Sequence, residues 1–73
     1  MDKVNVFIDV DEVVVEGSES FLLLLCQVLS ANGVKYRARL KGKNGGNFLL
    51  AFHSSCGYKV LYELSTLRTI IMN

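Results

Sequence analysis

The most informative feature of this sequence is the stretch Val34-Lys35-Tyr36-Arg37-Ala38-Arg39-Leu40-Lys41-Gly42-Lys43. Every odd position from 35 to 43 is basic, and the even positions between them are apolar, aromatic, small or glycine. Because successive side chains of a strand point to opposite faces, the alternation predicts a β-strand with its cations on one face. We call this set the basic ridge: Lys35, Arg37, Arg39, Lys41 and Lys43. It holds five of the chain's eight Lys and Arg residues and indicates an anionic partner.

The segment before the basic ridge predicts an apolar helix over residues 20–31. Gly17-Ser18-Glu19-Ser20 offers a serine N-cap and an acid for the positive end of the helix dipole, and Asn32-Gly33 is a typical C-terminal stop. The helix is apolar on more than one stripe, and one small sheet cannot cover it. Either a long N-terminal strand folds over the helix, or it meets a second copy or a protein partner. We favour self-association, and the predicted interface consists of Leu22, Leu23, Leu24, Leu49 and Ala51.

The remaining segments predict further strands. Residues 3–15 alternate as one strand, with a change of phase at Asp11-Glu12 that indicates a bulge or tight bend. The glycine-rich residues 42–46 predict a hairpin turn into a strand over 47–53. Alternation over 58–64 predicts a last strand, and residues 65–72 fit either a short helix or a fifth strand.

These elements predict one domain, residues 1–73, of the α+β class. The order is βαβββ, in two layers, with one helix packed on a mixed four-stranded sheet and a short C-terminal helix or fifth strand as an option. A strand–helix–strand crossover makes the first two strands parallel. With 73 residues, the domain lies near the lower size limit for folding on a hydrophobic core alone, although 51% of its residues are hydrophobic.

Opposite charges segregate along the chain. Six of the seven acids lie in the first 19 residues, and seven of the eight bases lie from Lys35 onward. Two interpretations follow for the basic ridge. Asp9 and Asp11 on a neighbouring strand neutralise Arg37 and Arg39, or the ridge contacts an external anion such as nucleic acid. If the aspartates neutralise Arg37 and Arg39, the unpaired charge is expected near Lys41 and Lys43.

Catalytic and metal chemistry have little support in the sequence. Residues 7–14, Phe-Ile-Asp-Val-Asp-Glu-Val-Val, resemble the first motif of haloacid-dehalogenase-type phosphatases. The resemblance implies a nucleophile at Asp9 and an acid/base at Asp11. Glu12 replaces the usual glycine, and Glu63 is the only acid after Glu19, so the distal magnesium carboxylates are missing. His53 and Cys56 lack a second ligand pair for zinc. We predict no enzyme, no metal and no cofactor.

The sequence therefore favours a small non-enzymatic binding module that self-associates and engages nucleic acid or a nucleotide through the basic ridge. The alternative is a small inhibitor or adaptor, of the kind that compact phage genomes encode, that docks on a host protein. We expect no signal peptide, because residues 1–3 run into a strand-like segment without an apolar h-region. We expect no membrane segment, because the longest apolar run, residues 21–26, is far too short to span a bilayer. Two cysteines do not make a disulfide framework, so a cytoplasmic location is expected.

Overall fold

The computed structural model describes the backbone of residues 3–72 and the side chains of residues 3–67, and over this range it contains four strands and two helices. In chain order these are β1 (Asn5–Ile8), β2 (Glu12–Gly17), α1 (Glu19–Ala31), β3 (Ala38–Asn44), β4 (Asn47–His53) and α2 (Gly57–Met72). A short 3-10 turn, Ser54–Cys56, leads from β4 into α2.

The four strands form one sheet in the order β1-β2-β4-β3, and every neighbouring pair is antiparallel. The α+β class and the four-stranded sheet are confirmed, whereas the mixed sheet and the order βαβββ are wrong. The reason lies at residues 9–11, where the chain turns back on itself and splits the expected long strand into a hairpin. Asp9 N–H donates to Glu12 O at 2.9 Å, and the Asp9 carboxylate accepts the Val10 N–H at 2.7 Å. The change of phase at Asp11-Glu12 therefore marks a chain reversal.

Helix α1 begins and ends as its sequence predicts. The Ser18 side chain accepts the Phe21 N–H at 3.2 Å, and Glu19 occupies the first turn. At the other end, Gly33 has φ of 74°, a left-handed conformation that a residue without Cβ adopts at little cost. The Val34 N–H then donates to Leu29 O at 2.9 Å, which satisfies a carbonyl at the end of the helix.

The segment expected to form the last strand is helical, so the strand predicted over 58–64 is wrong. Residues 65–72 continue the same helix, α2. Val60, Leu64 and Leu67 are buried at spacings of four and three, the pattern of one helix face. Tyr58 and Tyr62 share the alternation of Val60 in the sequence but are 83% and 65% exposed. The alternation of apolar residues over 58–64 therefore arises by coincidence within a helical segment.

The hydrophobic core lies between the two helices and one face of the sheet. Val13 and Val15 of β2 and Phe52 of β4 contribute from the sheet, and Phe52 and Val15 are fully buried. Helix α2 packs against α1, where the Asn32 side chain donates to the buried Glu63 carboxylate at 2.8 Å. This second helix supplies much of the cover that the apolar α1 requires. No helix within residues 3–72 is long and apolar enough to cross a membrane.

Candidate anion-binding site

The sheet face opposite the helices carries no covering element within the described residues, and we call it the open face. Strand register defines a row across it, in which Phe7 pairs with Val14, Val14 with Ala51, and Ala51 with Arg39. The central pair is nearly buried, with Val14 5% and Ala51 2% exposed, although no helix lies above them. Phe7, by contrast, is 52% exposed. The row thus has an apolar floor between an exposed aromatic ring and a guanidinium group.

A second row on the open face is polar. Glu12 pairs with His53, and the His53 N–H donates to Arg37 O at 3.0 Å. The His53 ring Nδ1 accepts the Ser55 N–H at 3.1 Å, which fixes the ring at the end of β4. A concavity of about 330 Å³ lies beside the second row and the Ala51–Arg39 end of the first, and its lining is Asp11, Glu12, Arg37, Ala38, Arg39, Ala51 and His53.

Glu12 is the internal partner of the basic ridge. Its carboxylate accepts from Arg39 Nη2 at 3.3 Å and, through its other oxygen, from Lys41 Nζ. Both bonds cross β4 above the small side chain of Ala51. The Lys41 hydrogen bond, followed by the charges of Lys41 and Arg39, lowers the pKa of Glu12 below its usual value of 4.5. The carboxylate is therefore ionised at neutral pH and orients both cations.

The expectation that Asp9 and Asp11 neutralise the ridge is wrong. Both side chains are exposed in the β1–β2 turn, and the ion pairs of the described part of the chain are the two to Glu12. The two aspartates of the phosphatase-like motif directly follow β1 and occupy the turn of an antiparallel hairpin. Among the described side chains, no three His, Cys, Asp or Glu residues are grouped as metal ligands.

The five cations do not all share one face, because β3 contains a bulge. Leu40 pairs with Leu50 but Gly42 pairs with Leu49, so Lys41 is an extra residue in the ladder. Beyond it the alternation is reversed, and Lys43 lies opposite Phe48 with its Nζ 5.4 Å from the ring centroid. Phe48 belongs to the helix side of the sheet, so Lys43 is diverted away from the open face.

The other basic residues keep the predicted alternation. Tyr36 turns toward the core, where its ring meets Phe52 edge-on with centroids 5.8 Å apart. A hydrogen bond with Cys26, together with burial, raises the pKa of the Tyr36 hydroxyl. Arg37 projects to the opposite side and lines the concavity, while Lys35 is exposed before β3 begins. The structure therefore brings Arg37, Arg39 and Lys41 together.

The residues predicted to form an oligomer interface do not form one surface. Leu22 and Ala51 are buried within the chain, on opposite sides of the sheet. Leu23 and Leu24 are 58% and 39% exposed on α1, and Leu49 lies on the open face, half-buried. The structure thus divides the five residues among the core, the exterior of α1 and the open face.

Three residues of the site were not among the sequence candidates. Glu12 directly follows the two aspartates at the apparent bulge, and the sequence predicts His53 as a hydrogen-bonded residue at a strand end rather than as a zinc ligand. Phe7 shows a signal in the sequence, since it alternates out of phase with Val6 and Ile8. Predicting a hairpin with its turn at Val10-Asp11 places Phe7, Glu12 and His53 on the same face of the sheet.

Comparisons with known proteins identify no relative of this chain: no protein-family model, no curated protein and no solved structure matches it. The geometry of the open face is therefore the basis for a functional proposal.

Proposed function

We propose that this protein is a non-enzymatic binding module that holds an anionic partner on its open face, with single-stranded nucleic acid as the preferred class. The observation that carries the proposal is the row from Phe7 to Arg39 on an uncovered sheet. Sites for single-stranded nucleic acids combine aromatic rings, on which bases stack, with cations that follow the phosphates. At about 4.8 Å between strands, the backbones of Phe7 and Arg39 lie roughly 14 Å apart, a span suited to a short oligonucleotide.

The cations of the site retain capacity to bind phosphate. A guanidinium has five N–H donors, and the one side-chain hydrogen bond that Arg39 makes within the described residues goes to Glu12. The Arg39 side chain is 65% exposed, and that of Lys41 is 42% exposed. Arg37 has no ion pair among the described residues and lies at the rim of the concavity. Arginine forks suit the two oxygens of a phosphate.

Glu12 supports such a site by ordering it. Long cationic side chains lose rotamer freedom when they bind a ligand, and a carboxylate that already holds them reduces this cost. Glu12 has a side chain only 15% exposed and lies beneath Arg39 and Lys41. An incoming phosphate therefore meets two positioned cations from the solvent side, with the negative charge of Glu12 below them.

The test is the fluorescence anisotropy of a labelled single-stranded oligonucleotide of mixed sequence, titrated with the protein at several salt concentrations. Three cations on phosphates predict a slope of log K against log salt of about −2. Arg39→Ala should weaken binding about tenfold and reduce the magnitude of the slope by about 0.7. The matched control is Lys59→Ala, which removes an exposed cation on α2, behind the sheet.

If Arg39→Ala and Lys59→Ala reduce the affinity for the oligonucleotide equally, binding depends only on net charge, and a site on the open face is refuted. No binding by the wild-type protein at low salt would refute the nucleic-acid class and favour the alternative, an inhibitor or adaptor that docks on a host protein. The proposal includes a cytoplasmic location, which the free thiols of Cys26 and Cys56 support.

A further inference from the structure

The two edges of the sheet differ in their protection against pairing with another strand. β3 carries a bulge and several cations, which are features that prevent edge-to-edge association. β1, at the opposite edge, contains neither a charged residue nor a bulge. Its Val6, Phe7 and Ile8 side chains are 37%, 52% and 72% exposed. β1 is thus an apolar and unprotected edge.

The backbone of β1 is also available for pairing. Asp9 N–H donates to Glu12 O, so the odd-numbered residues of this strand direct their N–H and C=O groups toward β2. The alternation of an antiparallel ladder then points the backbone groups of Val4, Val6 and Ile8 away from the sheet. The main contacts of the helices with the sheet are with β2 and β4, the two central strands.

We propose that β1 pairs antiparallel with β1 of a second copy of the chain, about a twofold axis at Val6. Val6 then lies opposite the partner's Val6, and Val4 lies opposite the partner's Ile8. On the open face, Asn5 lies opposite the partner's Phe7. The three residues with outward backbone groups exchange about six hydrogen bonds across the axis. The two sheets become one sheet of eight strands.

Charge complementarity identifies a second copy as the occupant. In this register Lys3 lies opposite the partner's Asp9 at both ends of the paired strands. Neither side chain makes an ion pair within the described part of the chain. A parallel arrangement would instead bring like charges together. An edge this short buries an area at the small end of specific interfaces, so the dimer is reversible and depends on concentration.

Sedimentation velocity over about a hundredfold range of concentration tests the proposal. The mass of the wild-type protein should rise from 8.1 kDa toward twice that value. Val6→Lys places two cations opposite each other at the axis and should keep the protein monomeric, as should Val6→Glu. A mixture of the two variants should restore the dimer, because the central pair is then oppositely charged. Leu23→Lys, which changes an exposed leucine of α1, should leave dimerisation unchanged.

A charge exchange addresses the case in which changes at Val6 affect folding. Both residues are exposed, so Lys3→Asp should leave the fold intact and weaken the dimer, and adding Asp9→Lys should restore it. A wild-type protein that stays monomeric throughout would overturn the proposal. So would a dimer that persists in Val6→Lys but dissociates in Leu23→Lys, since the interface would then lie on α1. Neither result depends on whether the open face binds an anion.

Discussion

The contact between Gly57 and Val13 gives a quantitative test of how α2 docks on the sheet. Gly57 is the first residue of α2, with φ of −58° and ψ of −42°, so alanine fits its backbone. In an exposed helix this substitution stabilises a protein by about 0.5–1 kcal/mol. Here the new Cβ would lie 2.8 Å from Val13 Cγ2, far inside van der Waals contact. Val13 is buried, β-branched and stiff at χ1, so it cannot move aside freely.

Overpacking of this kind costs about 1–3 kcal/mol, which exceeds the gain in helix propensity. We expect Gly57→Ala to lower the free energy of unfolding by about 1 kcal/mol and the Tm by about 4–8 °C. Chemical denaturation followed by circular dichroism measures both. Gly46→Ala is the control, because no atom lies within 4 Å of its new Cβ, and its effect should stay within about 0.5 kcal/mol.

A double-mutant cycle separates the clash from other effects. Val13→Ala removes the obstructing methyl groups, so adding Gly57→Ala to that background should become neutral or stabilising. The coupling energy should be at least about 0.5 kcal/mol, as for residues in direct contact. A stabilising Gly57→Ala in the wild-type background would refute the docking of α2 against β2.

The remaining predictions concern α2, its link to α1 and the site. Val60→Ala should lower the free energy of unfolding by about 2 kcal/mol, because the Val60 side chain is fully buried, whereas Tyr62→Ala should lower it by less than about 0.5 kcal/mol. Equal losses of stability in chemical denaturation would favour a strand in this segment. Asn32→Asp, which sets a carboxylate beside the buried Glu63, should destabilise the protein by about 1–3 kcal/mol in chemical denaturation at neutral pH. Glu12→Gln should bind the oligonucleotide more weakly, since it releases the two cations that the Glu12 carboxylate orders, and unchanged or tighter binding in anisotropy titrations would contradict this. Because the pKa of Glu12 is lower in the folded state than its usual 4.5, the stabilising effect of Glu12 is present above about pH 4.5 and is lost as the pH falls through the folded-state pKa. Urea denaturation should therefore separate wild type from Glu12→Gln at neutral pH and not in strong acid.

Elements specified by local chemistry were predictable from the sequence. Helix α1 was correct nearly to the residue, because the Ser18 cap and the Gly33 stop act within a few residues of the chain. The β3–β4 hairpin was correct for the same reason, with Gly45 at φ of 64° in its turn. Where a segment fits both the period of a strand and the period of a helix, the sequence alone does not determine which of the two forms. Tyr58 to Leu64 fits both a strand and a helix, and the choice depends on packing against α1.

The candidate site was only partly predictable, because it depends on register. Arg37, Arg39 and Lys41 were expected on one face, and the structure places them there. Lys43 lies on the other face because of the bulge in β3, and Gly42 is the only residue in the sequence that indicates this bulge. The partner carboxylate is Glu12 and not an aspartate, since the β1–β2 turn reverses the chain before β2 begins. No local pattern reports which strands become neighbours.

The most direct test of the open face as a binding site is an NMR titration of the isotope-labelled protein with a single-stranded oligonucleotide. We predict that amide shifts concentrate on one face of the sheet, at Phe7, Arg39, Lys41 and His53. The amide chemical shifts of α2, which packs on the other face of the sheet, should not change. Shifts confined to α2, or scattered evenly over every exposed lysine and arginine, would contradict binding at the open face.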